Sequence, residues 1–169
     1  MKIIEAMKEL KLIDKKMKKN IELINEYAAL PDNERLPFET RAKQIAQVKS
    51  LIQANVDLMK NYLHIKQSIE NTNLVSKVAI YGKEYTISEL LIIKRNLASV
   101  MIATYNALND SQARRKIQQM SVRGEKPPIV DRFYDETDKN AGLNQWEDLY
   151  HTIDARLEVT NASTDLIEI

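Results

Sequence analysis

Between residues 2 and 28 apolar side chains recur at spacings of three and four: Ile3, Met7, Leu10, Met17, Ile21 and Ile24, flanked by Ile4, Ile13 and Leu23. That spacing gathers them on one face of a helix, so the chain opens with a long amphipathic helix. The stretch ALPDNERLPFET then breaks the pattern. Pro31, Asp32, Asn33 and Pro37 are turn residues, and Pro37 suits the first turn of a second helix. This second helix extends to about Asn71 on a stripe of Phe38, Ile45, Val48, Ile52, Met59, Tyr62 and Ile69, widened by Leu51, Leu58 and Ile65. Two long helices joined by a short turn predict an antiparallel hairpin over 1–73.

The period then changes. VAIYGKEYTI places β-branched and aromatic residues around Gly82, which can take a positive φ in a tight turn, so a short β-hairpin corner is expected near 78–86 within a connector at 74–86. Thr86 and Glu89 have the spacing of a capping box and predict a helix start at Ile87. The third helix reaches about Leu108 and turns Leu90, Leu91, Leu97, Met101, Tyr105 and Leu108 inward. An extended loop is expected at 111–140, where Pro127-Pro128 forces extended backbone. A last helix, about Leu143 to Thr160, carries Leu143, Trp146, Leu149, Tyr150, Ile153 and Leu157 on one side.

Ile69-Glu70-x-Thr72-Asn73 also matches Leu157-Glu158-x-Thr160-Asn161, with Ile65 matching Ile153 at the same offset. This fits two related helical hairpins, although Thr-Asn is in any case a good helix stop because both side chains bond to nearby backbone. The expected fold is therefore mainly all-α: one domain over 1–169, with hairpins at 1–73 and 87–169 packed as a four-helix bundle. Two polar residues interrupt the stripes. Asp14 reads as solvated; Asn55 either fixes the hairpin register or lies at a solvated edge.

Composition narrows the function more than it names one. With 25 Lys and Arg against 24 Asp and Glu the net charge is +1, which gives no bulk attraction to nucleic acid or anionic membrane. The charge is uneven, however. Residues 131–169 hold ten acids and three bases, a net of −7, leaving +8 for the remainder. Either these charges pair within one chain or oppositely charged ends meet in a head-to-tail assembly. Cysteine is absent, which excludes disulfides, thiolate nucleophiles and Cys-ligated zinc. MKIIEAMKELK offers no apolar signal-peptide core, and the longest uncharged run, 96–109, is too short to span a bilayer. A cytoplasmic or virion location is expected.

Candidate chemistry is sparse. His64 and His151 lie on helices without HExxH or ExxH neighbours, so no metal or other cofactor is expected. No GxGxxG, Walker or GxSxG motif is present. Paired carboxylates such as Asp135/Glu136 and Glu147/Asp148 have nothing around them to raise a pKa, and no catalytic residues are expected. The lysines around Met17 are within helical pairing distance of Asp14 and Glu22, which makes a solvated face. Arg114, Arg115, Lys116, Arg123 and Lys126, with Phe133 and Tyr134, form the one candidate contact set. The aromatics lie among acids rather than between the cations, so a protein partner or second subunit fits better than nucleic acid.

One order of features extends over nearly the whole chain: an amphipathic first helix, a second helix ending I-x-x-T-N, a corner with Gly82, Thr86, Glu89 and Leu90, and a closing set of Ile153, Asp154, Leu157, Asn161, Thr164, Asp165, Leu166, Ile167 and Glu168. It resembles the septicolysin-like family of small helical proteins of bacteria and of phage or prophage genomes, whose members are largely uncharacterised. PPIVDRFYDE departs from that family's pattern. The resemblance implies no catalytic residues; its name implies a pore-forming toxin. Three functions follow as expectations. The first is a non-enzymatic structural or assembly protein, such as a phage virion component, that forms a homo-oligomer and contacts other structural proteins. The second is a pore former, which alone would engage a membrane. The third is a cytoplasmic helical adaptor binding through the 111–140 loop.

Overall fold

The opening apolar repeat folds as α1 (Ile3–Tyr27), and the second as α2 (Arg41–Val75). The computed structural model describes residues 1–120, 126 and 128–168. α2 starts later than Pro37 suggests. Glu39 takes φ 66°, a left-handed conformation that no helix begun at Pro37 could continue through. Thr40 instead takes the N-cap, its hydroxyl accepting from the Lys43 N–H at 3.2 Å. The chain divides into two compact units: Met1–Ser76 with Val159–Ile169, and Lys77–Glu158.

In the first unit α1 and α2 form the expected antiparallel hairpin. Ala6, Ile13, Ile65 and Ile69 are buried together, and Leu10, Met17, Leu58, Tyr62 and Leu166 pack against them. Asn55 lies in this seam. Its amide donates to the Met17 carbonyl at 3.3 Å, and its Oδ1 accepts from Asn20 Nδ2 at 2.8 Å. A one-turn slip would leave these groups unpaired at a partly buried site, so the pair fixes the register. Asp14 is ion-paired to Lys18 at 2.7 Å on the outside. Where the chain turns, Tyr27 and Phe38 meet edge to face at 5.0 Å, and Gln44 Nε2 donates to the Tyr27 carbonyl at 2.9 Å.

The end of the chain belongs to this unit as well. Ile3 N–H donates to the Thr164 carbonyl at 3.1 Å, Leu166 N–H to the Met1 carbonyl at 2.8 Å, and Ile167 N–H to Thr72 Oγ1 at 2.9 Å. Lys2 adds an ion pair to Asp165 and a bond to the Ser163 carbonyl, both at 2.8 Å. Ser163, Thr164, Asp165, Leu166 and Ile167 thus tie the last segment to the hairpin.

The second unit begins with the β-corner. β1 (Lys77–Ile80) pairs antiparallel with β2 (Lys83–Thr86), Val78 opposite Tyr85 and Ile80 opposite Lys83. Tyr81 and Gly82 take φ 50° and 78°, the pair of positive values that a two-residue turn matched to strand twist requires. The capping box forms as expected: Thr86 Oγ1 accepts from Glu89 N–H at 3.1 Å, and Glu89 accepts from Thr86 N–H at 2.7 Å.

Beyond it α3 (Ile87–Ile92) continues through a π-helical segment (Ile93–Leu97) into α4 (Ala98–Asn106). The π-turn corrects the expected inner face. One extra residue per turn shifts the phase, so Ala98 is fully buried while Leu97 is 49% exposed. The extended loop expected at 111–140 is corrected at both ends, while 128–135 is without helix or strand and 121–125 and 127 lie outside the described residues. Ser111–Met120 forms α5, and the last helix, α6, runs Glu136–Ser163 rather than from Leu143. Asp110 and Asp135 provide the starts: the Asp110 carbonyl accepts from Arg114 N–H at 3.0 Å, and Asp135 Oδ1 accepts from Asp138 N–H at 2.9 Å. Glu136 and Asp138 in the first turn suit the positive end of the α6 dipole. The fold is mainly helical, with the one short β-hairpin among the described residues.

Candidate interaction surface

The predicted contact residues divide into three groups. Arg114 is engaged within its own chain. Its guanidinium meets Asp110 through Nε–H to Oδ1 at 3.0 Å and Nη2–H to Oδ2 at 2.9 Å, and Arg132 donates to the same Oδ2 at 2.7 Å. These bonds, Arg114 first and Arg132 second, hold the Asp110 carboxyl well below the usual carboxylate range. Tyr134 is half-buried, with its hydroxyl 3.3 Å from Glu136 Oε1 and Lys139 Nζ 5.8 Å from its ring centre. Burial, and then the Glu136 charge, push the Tyr134 phenol up from its ordinary value.

Arg115, Lys116, Lys126 and Phe133 are exposed. Arg123 lies outside the described residues. Phe133 is 92% exposed and Ile129 86%, and Met120 at the end of α5 stands out as well. Because Asp110 takes both Arg114 and Arg132, the cationic start of α5 and the residue beside Phe133 are drawn into one neighbourhood. The result is a projecting aromatic ring that follows directly on an arginine held at Asp110, while Arg115 and Lys116 on α5 have no ion-pair partner among the described residues. Sequence reading missed Asp110 and Arg132; an Asp four residues before an Arg is a pairing signal, whereas the second arginine, 22 residues on, has no local one.

Other polar features are structural. Lys94 on the π-segment pairs with Asp154 and lies 5.6 Å from the Tyr150 ring centre, and the Tyr81 hydroxyl is 2.9 Å from Thr152 Oγ1. His151 stacks edge-on against Tyr150, and His64 lines a 190 Å³ cleft with Glu9, Ser68 and Glu168. No group of three or more metal-ligating side chains with suitable geometry occurs among the described residues, and no helix there is long and apolar enough to cross a membrane.

No family model matches the chain, and no curated protein matches it. It is similar in structure to a functionally unknown conserved protein from Corynebacterium diphtheriae, with 17% sequence identity, a TM-score of 0.55 and 99% of each chain covered. That likeness extends to the fold alone.

Proposed function

We propose that this chain is a non-enzymatic assembly protein that associates with further copies of itself. Phe133 carries the reading: a ring left 92% in water, beside the arginines gathered at Asp110, suits a contact surface. The occupant is the acidic C-terminal region of a second copy, residues 131–169. Glu147, Asp148 and Glu158 are exposed on α6, within a region of net −7, and complement Arg115, Lys116 and Lys126 on a remainder of net +8. Such a contact joins unlike surfaces and propagates from copy to copy until a ring closes. The septicolysin-like resemblance supports a phage or prophage setting, with the protein as a structural component.

Light scattering coupled to size exclusion, at low and high salt, tests the reading. The expected result is a discrete oligomer that loses subunits as salt rises, and that is weakened by Phe133→Ala or Arg115→Glu. A species that stays monomeric at high protein concentration in both buffers overturns it.

A further inference from the structure

α2 has a second apolar stripe that α1 does not cover. Leu51, Leu58, Tyr62, Ile65 and Ile69 turn towards or pack near the seam, whereas Ile45, Ile52, Met59 and Leu63 are 46%, 49%, 57% and 57% exposed, with Val48 and Val56 half-buried between them. Ile45, Ile52 and Met59 are seven residues apart, the repeat that keeps one helix face against another along a coiled-coil seam. The stripe is bounded by opposite charges, exposed Arg41 at its start and, at its end, exposed Glu70, which is ion-paired to Lys66 at 2.8 Å.

The spacing is also symmetric. Arg41, Ile45, Val48 and Ile52 precede its centre at intervals of four, three and four residues, and Met59, Leu63, Lys66 and Glu70 follow at four, three and four. Reversing the helix therefore lays the stripe on itself. Two antiparallel copies crossing between Asn55 and Val56 would set Ile52 against Met59, Val48 against Leu63, Ile45 against the aliphatic stem of Lys66 and Arg41 against Glu70, each twice. This is the self-complementarity that a two-fold interface demands. A parallel pair would instead place Arg41 on Arg41 and Glu70 on Glu70.

We infer that this face of α2 is a two-fold dimer interface, occupied by α2 of a second copy packed antiparallel. The size is sufficient. A helix of 35 residues is about 52 Å long and its side-chain envelope about 10 Å wide. That gives roughly 500 Å² per copy, about 1,000 Å² in total, which reaches the lower bound for a specific interface. The inference rests on the self-assembly reading and gives it a second surface. Being apolar, this contact persists in salt where the arm contact does not, so high salt should leave a dimer.

The absence of cysteine makes the register directly measurable. A disulfide needs Cα atoms within about 7 Å. Val56→Cys should cross-link to itself near the two-fold axis. Ile52→Cys should not, because two copies of residue 52 would lie about 10 Å apart along the axis, but a mixture of Ile52→Cys and Met59→Cys protein should. In Arg115→Glu protein at low salt, where the arm contact is already weakened, Arg41→Glu should shift the dimer towards monomer at least several-fold, and Arg41→Glu/Glu70→Arg should restore it. All these positions are outside the buried core, and circular dichroism checks that each variant stays helical. Self-cross-linking at every position alike would show a parallel pair and overturn the inference. An oligomer without any of these cross-links would overturn it while leaving the assembly reading intact. A monomer in all buffers would remove both.

Discussion

The two units of this chain hold together by different means. The unit of α1, α2 and the chain end is organised by a long seam in which Ala6, Ile13, Ile65 and Ile69 repeat the same kind of contact turn after turn. Lys77–Glu158 instead buries apolar side chains drawn from several short elements, among them Val78, Ile80, Ile87, Leu90, Ala98 and Ile153, and adds single, unrepeated contacts: Lys94 with Asp154 and Tyr150, Tyr81 with Thr152, Asp110 with two arginines, and Gly142 against Tyr105. A seam spreads its stability over many equivalent side chains. Individual stitches concentrate specificity in a few, and the π-turn at Ile93–Leu97 shows that backbone regularity gives way to bring Lys94 and Ala98 into place.

The comparison can be broken most forcefully in the seam. Ile69→Ala removes a side chain that is 5% exposed and within the buried cluster, so it should cost about 2–5 kcal/mol in urea or thermal unfolding. A cost near zero would mean that the seam does not govern the first unit. A smaller effect is expected at Gly142. A Cβ there would stand 2.2 Å from Tyr105 Cε1 and 2.8 Å from its hydroxyl oxygen, so Gly142→Ala should overpack by about 1–3 kcal/mol even though alanine is the better helix former. Combining it with Tyr105→Leu should recover part of the loss.

The smallest effect is the most diagnostic of a stitch. The Asp110 carboxyl is depressed by its two arginines, so the folded state binds its proton less readily than the unfolded chain. The contribution is present in full above the ordinary carboxylate value of about 4 and is lost as pH falls below it towards the depressed value. Asp110→Asn should therefore lower stability slightly at neutral pH and flatten its acid limb, read by thermal unfolding from pH 7 downwards. An unchanged acid limb would show that the pair makes no net contribution, as exposed ion pairs often do.

How far each feature was legible follows the same division. The two long helices, the Thr86/Glu89 cap and the turn at Gly82 all depend on residues a few positions apart, and all form, the second helix with its start moved from Pro37 to Arg41. Pro127-Pro128 suggests extended backbone for the whole of 111–140, yet in Ser111–Met120 Ala113 and Ile117 give a helix its inward edge and Asp110 its start. Among the residues read as a contact set, Phe133 and Arg115 are exposed, while Arg114 is taken up by Asp110.

By itself the sequence determined the mainly helical class, the hairpin of α1 and α2, the β-corner and the lack of any thiol chemistry, because periodicity, capping and composition act over a few residues or over the whole chain at once. Only the tertiary structure decided which of the two apolar stripes on α2 is buried, where the helical phase shifts at Ile93–Leu97, and that residues 164–167 bind Met1, Ile3 and Thr72. A wide apolar arc is equally hydrophobic on both sides. Which side is covered depends on how many helices arrive to cover it, and that is settled by contacts between residues far apart in the chain.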